Sequence, residues 1–514
     1  MLTLLSLVTL VSAAAFTPTP NARPTAIIDS GSIIGTAINV AIPSATVTPV
    51  SPWTEPFDAS DYGPACYQQI SEETALFYKG VGLGVVPNGE SEDCLNLNVY
   101  APATASAGSK AVIVWVHGGS WQNGANSLPL YDGSNIVANQ DVVLVSINYR
   151  TNIFGFPADE SIPVEERNLA LHGTRLALDW VVRNIAFLGG DPSRITIAGE
   201  SGGSSTVDTI LTAPPDPLPF HAAILSSSQI SVPAQPQQPE LYIKSWNTLA
   251  RLAGCPANSS STLPCLQNYP AQDLVNLVTN ASLTFNGFPD GGVTWSNTSR
   301  LDRLRNKTAC VPVLIGTTYD EASPFTLGLN DTRSALDSIR LTEYTDLIID
   351  LYPLGKPGIS TETARITRIA TEFLMQCNTA LWADDSLSVG IPTYRFLYNA
   401  SFPNTEFIPG VQLGAYHASE LPLLFGTYRR ANATAFQREL SATVQKAYAD
   451  FAKSPASGPG WGSVPVIGVF GGGVRPGLGE ERKALSTVDS AAIDVRCPLF
   501  YPVYEALSLG IGGE

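Results

Sequence analysis

Basic residues are scarce in this chain: 29 lysines and arginines stand against 45 aspartates and glutamates, for a net charge of −16. They are also scattered, with no lysine- or arginine-rich patch. Nucleic acid and anionic membrane surfaces are therefore poor partners, because both are recognised by clustered positive charge. Long apolar runs are missing as well. The apolar stretch at residues 2–11 is too short to span a bilayer, and no apolar tail after residue 505 suits a lipid anchor. Only four histidines occur, His117, His172, His221 and His417, so chemistry that needs an imidazole base has four candidates.

What is present points outward from the cell. Residues 1–15 read as a secretory signal, an apolar core followed by small residues 12–15, with the mature chain starting near Ala15 or Phe16. Seven Asn-x-Ser/Thr sequons, at Asn258, Asn280, Asn297, Asn306, Asn330, Asn399 and Asn432, fit a surface carrying N-glycans. Seven cysteines in an exported chain allow up to three disulfides and one odd thiol. Cys255 and Cys265 enclose a Ser/Pro/Asn-rich loop suited to a clip. A secreted, extracellular protein is expected.

The organisation is that of an α/β protein. At 44% hydrophobic residues the chain can bury a large core. Short β-rich runs at 95–100, 111–117, 142–149, 194–198, 222–225 and 312–315 have the look of strands buried in a mostly parallel sheet. Residues 25–42 read as a β-hairpin with Gly31 and Gly35 at turns. Leu169, Leu176, Trp180, Val181 and Ile185 give helical spacing to 168–185, with Asn168 as the N-cap. Further helices are expected at 204–211, 334–351, 361–383 and 435–453. No long linker divides the chain, so residues 16–514 are expected to form one α/β domain with helical insertions.

The chemistry centres on Gly199-Glu200-Ser201-Gly202-Gly203, between an expected strand and an expected helix. Flanking glycines permit the sharp turn that holds a serine hydroxyl out toward a base. Of the histidines, His172 falls within a helix, His221 precedes a core strand, and His117 ends a strand. His417, in a loop of Gly414-Ala415-Tyr416-His417-Ala418-Ser419-Glu420, is the candidate base. The chain order of such sites places the acid between serine and histidine at a strand end, where Asp320 and Glu321 both stand; the pattern does not choose between them. Gly118 and Gly119, after His117, can turn backbone N–H groups toward an oxyanion, together with the N–H of Gly202. This chemistry calls for no metal or cofactor.

With these residues in place, the chain resembles the type-B carboxylesterase/lipase family, the cholinesterase-like α/β-hydrolases that include secreted fungal members. The resemblance runs across residues 60–505. It rests on Glu92-Asp93-Cys94-Leu95, His117-Gly118-Gly119, Gly189-Gly190-Asp191-Pro192, Gly199-Glu200-Ser201, Asp320-Glu321 and His417 with Glu420-Leu421-Pro422. It implies the α/β-hydrolase fold, a Ser201–Glu321–His417 triad with the glutamate as the acid, and an oxyanion hole of Gly118, Gly119 and Gly202. Glu200 and Ser227 would support the triad. Trp121, Phe285, Phe288 and Phe325 are candidate aromatics around the acyl group. The same resemblance pairs Cys66 with Cys94, Cys255 with Cys265 and Cys377 with Cys497, leaving Cys310 as a buried free thiol. Residues 39–57 are shorter than the family pattern and lack its Gly-Ile-Pro-Tyr-Ala segment. The implied activity is cleavage of small-molecule or lipid carboxylic esters through an acyl-enzyme. A lipase working at oil–water interfaces is the alternative. A non-catalytic adhesion protein on the same fold would lack one of the three triad residues, all of which occur here.

Overall fold

The structure is a computed structural model describing residues 25–29, 31–34, 39–42, 55–81, 83–235, 237–257, 260–406, 408, 410–472 and 483–509. The expected signal segment, Gly35, Asn258 and most of the shortened 39–57 segment lie outside the described residues.

Strand-forming residues fall into two sheets. The smaller joins β1 (Thr25–Ile28), β2 (Gly31–Ile34) and β4 (Phe57–Asp58). The larger has ten strands among the described residues, in the order β13-β12-β11-β10-β9-β8-β6-β7-β5-β3. Its members are β3 (Asn39–Ile42), β5 (Leu97–Tyr100), β6 (Lys110–Val116), β7 (Val143–Ile147), β8 (Gly190–Glu200), β9 (Ala222–Ser226), β10 (Val313–Thr318), β11 (Thr393–Tyr398), β12 (Val466–Phe470) and β13 (Leu485–Asp489). The run from β7 through β6, β8, β9, β10 and β11 to β12 is parallel throughout, and antiparallel strands close both edges. This is the α/β-hydrolase fold expected from the sequence.

The central strands are apolar on both faces because both are covered. Val112, Val114 and Val116 of β6 enter one hydrophobic cluster while Ile113 and Trp115 enter the other, the two-residue alternation of a strand. Val, Ile and Leu therefore dominate these strands without a polar face, as parallel sheets require. The helix Leu169–Asn184 packs on the first layer and Ala435–Lys453 on the second.

Several expectations are corrected. The hairpin ends at Ile34, with Ile28 opposite Gly31, and residues 39–42 pair instead with β5 in the main sheet. Asn168 precedes its helix but its side chain caps nothing there; it bonds Phe288 O at 2.9 Å and Thr294 Oγ1 at 3.0 Å. The helix expected over 334–351 is two, Thr332–Ser338 and Thr345–Leu351, broken where Arg340 takes a positive φ of 60°. Strands β11, β12 and β13 stand in the half expected to be helical. All three expected disulfides form, Cys66–Cys94, Cys255–Cys265 and Cys377–Cys497. Cys310 is exposed rather than buried, its Sγ 3.0 Å from Asn306 Oδ1.

Candidate active site

Four parallel strands deliver the site at their carboxyl ends, where open α/β sheets leave room for ligands. β8 runs to Glu200, Ser201 forms the turn, and the helix Gly202–Thr212 begins at once. Ser201 sits at φ 53°, ψ −124°, a conformation side chains rarely adopt and one that stores about 1–3 kcal/mol of strain. The surroundings hold it there: its N–H donates to Ser226 O at 2.9 Å. A Cβ on Gly203 would lie 2.0 Å from Val116 O, and one on Gly199 would lie 2.4 Å from Gly203 C. Only glycine lets strand and helix approach this closely.

β6 supplies the second part. His117 is fully buried, stacks on Tyr149 at 4.3 Å between ring centroids, and has its Nδ1 2.8 Å from Gly118 O. Burial drives its pKa down to about 4, which keeps the ring neutral where it braces the loop. A Cβ on Gly118 would lie 2.5 Å from Glu200 Oε2 and 3.1 Å from Ser201 Cβ, and one on Gly202 would lie 3.0 Å from Ser120 N. The loop thus lies directly against the serine turn, which also explains a glycine at position 202. Among the described residues the N–H groups of Gly119 and Gly202 donate to no other group, while that of Gly118 lies against the Tyr131 hydroxyl. Amide donors left free beside a serine hydroxyl are what a developing oxyanion needs.

The acid and the histidine come from loops after β10 and β11. His417 Nδ1 lies 2.7 Å from Glu321 Oε2, while Glu321 Oε1 accepts from Thr318 N at 2.7 Å. The neighbouring Asp320, left open by the pattern, has another task. Its Oδ2 accepts from Ala415 N and its own N–H donates to Ala415 O, both at 2.9 Å. Asp320 latches the histidine loop while Glu321 grips the imidazole. A histidine motif followed by Glu420 carried no sequence signal for that latch.

Three carboxylates surround the imidazole. Burial alone would depress the His417 pKa, but Glu200, Glu321 and Glu420 outweigh it and raise it to about 9. Glu200 Oε1 stands 3.2 Å from Nε2, and burial, reinforced by Glu321 and opposed by His417, lifts the Glu200 pKa to about 7. Glu420 is buried with no donor from another residue on its carboxyl among the described residues, and burial first, then Glu200 and Glu321, push it well above the carboxylate range. The hydroxyl of Ser227, expected to support the triad, has no hydrogen-bond partner among the described residues; the carbonyl of its neighbour Ser226 holds the Ser201 amide.

Ser201, His417, Glu200, Gly118 and Gly119 all line one cavity of about 460 Å³. Phe325 lines it too, with its ring edge-on to His417 at 5.5 Å. The other three expected aromatics do not. Trp121 is buried, its Nε1 donating to Thr206 at 2.8 Å, and Phe285 and Phe288 are in the core. Asn168 accounts for Phe288, since it ties down the loop that carries it.

The fold, with a serine on a strained turn and an acid–imidazole pair at neighbouring strand ends, is that of an α/β-hydrolase, and the comparisons that follow narrow the class to carboxylic ester hydrolase. The chain belongs to the carboxylesterase family, whose model matches residues 45–459. It is 29% identical to a mouse cholinesterase over 434 residues, 79% of this chain and 71% of that one. It is 31% identical to secreted lipase 5 of Gibberella zeae over 404 residues, 72% and 70% of the two chains. Identity to an acetylcholinesterase of Electrophorus electricus reaches 38%, over 229 residues that span 44% of this chain and 36% of the eel chain.

Proposed function

We propose that the protein is a secreted serine esterase that cleaves carboxylic esters through an acyl-enzyme. Ser201 attacks the ester carbonyl; His417 takes its proton and returns it to the leaving alcohol. Glu321 fixes the imidazole tautomer and stabilises the imidazolium. The N–H groups of Gly118, Gly119 and Gly202 receive the oxyanion of the tetrahedral intermediate, and water then cleaves the acyl-enzyme with the same base. The observation that carries this reading is the 2.7 Å His417–Glu321 bond at a cavity that Ser201, Gly118 and Gly119 share with the imidazole.

Secretion, with residues 1–15 as the signal and 16–514 as one catalytic domain, is supported by the leader pattern and the secreted fungal relative. No helix among the described residues is long and apolar enough to cross a membrane. N-glycans fit the sequons, since Asn280, Asn297, Asn306, Asn330 and Asn432 are all exposed. The test is labelling by a fluorophosphonate probe together with hydrolysis of p-nitrophenyl esters. Both should be present in the wild type and lost in Ser201→Ala, with kcat falling by about 10⁴-fold or more. Unchanged labelling of the variant would end the proposal.

One observation favours a lipase reading as a second choice. Leu76, Phe325 and Leu327 are exposed at the cavity mouth, and Phe77 of the helix Glu72–Val81 faces Phe325 at 6.5 Å. An oil surface could cover such a rim. A jump in activity as substrate passes its solubility limit would select the lipase reading over the soluble-ester one.

A further inference from the structure

Glu321 serves His417 only while its carboxylate stays aligned with the imidazole Nδ1, yet it sits on an irregular loop just past β10. The bonds from Thr318 N, Asp320 and Ser323 tie that loop to β10 and to the histidine loop. Two more arrive from a third element, the helix Glu362–Thr371. Arg368 Nη1 donates to Tyr319 O at 2.9 Å, and Thr371 Oγ1 accepts from Ala322 N at 3.0 Å. Tyr319 precedes Glu321 and Ala322 follows it, so the acid loop is gripped on both sides of the carboxylate. Arg368 and Thr371 stand three positions apart, which sets them on one face of the helix. Both are buried, as is Ala322, so an Ala322 N–H deprived of its acceptor would stay unpaired.

The clamp is itself anchored. The Arg368 guanidinium pairs with Glu372 at 2.8 Å, donates to Gln376 Oε1 at 2.6 Å and lies over the Tyr319 ring at 4.6 Å. Glu372 and Gln376 are the ends of a π-helical turn inserted between the helices Glu362–Thr371 and Cys377–Ser388. Glu372 is also paired with Arg496 and receives the Tyr352 hydroxyl. Burial would raise its pKa, but Arg368 and Arg496 outweigh burial and hold it below the usual value, so it stays charged. The next residue after the turn, Cys377, is tied to Cys497. Neither Arg368 nor Thr371 lines the reaction cavity, nor the smaller one of about 230 Å³ beside it, whose walls share Phe325 and Met375. Their reach is to the acid loop and not to a substrate.

We propose that Arg368 and Thr371 are positioning residues of the reaction, which together hold the acid loop so that Glu321 keeps its 2.7 Å bond to His417 Nδ1. The inference rests on the ester-hydrolase reading above. Loosening the clamp lets the carboxylate drift from the imidazole, which costs rate more than substrate binding. It also weakens one of the three carboxylates, Glu200, Glu321 and Glu420, that hold the His417 pKa up against burial. His417 must be neutral to act as a base, so the rise of kcat/KM with pH should then move to lower pH.

The experiment measures kcat, KM and the pH profile for p-nitrophenyl butyrate in the wild type, Thr371→Val, Thr371→Ser and Arg368→Lys. Thr371→Val keeps the shape and removes the acceptor, and Thr371→Ser restores it. Arg368→Lys keeps a charge beside Glu372 but loses the planar fork that reaches Tyr319 O and Gln376 together. In Thr371→Val and Arg368→Lys, kcat should fall by about 10- to 100-fold with KM changed by no more than about twofold. The pH limb should shift downward in both, and Thr371→Ser should recover rate and limb alike. Added to Glu321→Gln, Thr371→Val should cost no more than about twofold further, because the group it positions is already impaired. A variant that loses thermal stability but keeps the wild-type kcat and pH limb, or an undiminished loss on top of Glu321→Gln, overturns the proposal. Should Thr371→Val not fold, Arg368→Lys carries the same readings. If the wild type neither cleaves esters nor labels at Ser201, the ester-hydrolase reading fails instead. The downfield proton resonance of His417 Nδ1–H then decides the clamp: moved upfield in Thr371→Val and restored in Thr371→Ser supports it, unmoved in both overturns it.

Discussion

Ser201 and the Gly118–Gly119 amides stand on the packed centre of the sheet, whereas Glu321 and His417 ride on loops joined to it only at strand ends. The serine side is held by steric necessity. Glycines at 199 and 203 have backbone atoms of neighbouring segments within 2.0–2.4 Å of any added Cβ, so the turn cannot relax without displacing β6 or the helix Gly202–Thr212. The histidine side is held by hydrogen bonds, from Asp320 to the Ala415 backbone and from Ser323 Oγ to Leu413 O at 2.6 Å. Packing fixes Ser201; polar latches place His417. The difference predicts that damage to the glycines packed around Ser201 costs stability, and damage to the loop half costs rate.

Among changes that separate the two halves, the largest effect should follow Glu321→Gln, which leaves the volume unchanged but removes the charge behind the imidazole. A fall in kcat of about 10³–10⁴-fold with an unchanged urea midpoint is expected. A shifted midpoint would show that the loop half is also held by the charge. Gly203→Ala tests the other half. Its methyl would meet Val116 O, so the variant should lose about 2–3 kcal/mol of stability, read from the urea midpoint, or fail to fold. Near-normal stability would show that β6 can give way. The smallest change is Glu200→Gln. His417 must be neutral to act as a base, and the Glu200 charge helps to hold its pKa at about 9. Removing that charge lowers the pKa, so the rise of kcat/KM with pH should move to lower pH. An unmoved or upward-shifted limb would mean that Glu200 does not act on His417 through charge.

The halves also differ in how openly the sequence announced them. Gly199 to Gly203, between a β-rich run and small helix-capable residues, could be read directly, because a turn this tight admits few residue types. Glu321 could not be separated from Asp320 by pattern, since both carboxylates stand at the same strand end; the resemblance chose between them, and the 2.7 Å contact agrees with its choice. β11, where Thr393, Tyr394, Phe396 and Tyr398 are β-branched or aromatic, carried a readable strand signal that the helical segments around it obscured. Trp121, Phe285 and Phe288 lost their expected places because an aromatic ring serves a core and a pocket equally well, and only neighbouring segments decide which. Cys310 followed the same rule in reverse: a lone thiol reads as buried, but its loop leaves it at the surface.

Residue order by itself determined the parallel sheet, the three cysteine pairings through the family pattern, and the positions where serine, glycine and histidine could do chemistry. These depend on short-range constraints: two-residue alternation, turn sterics and motif spacing. Tertiary structure alone decided that Asp320 bonds the Ala415 backbone while Glu321 meets the imidazole, that the Ser227 hydroxyl finds no hydrogen-bond partner among the described residues, and that Met375 and Phe325 line two cavities. Each of these turns on which side chains from distant segments arrive at the same point, and no local pattern records a distance between segments that meet only after folding.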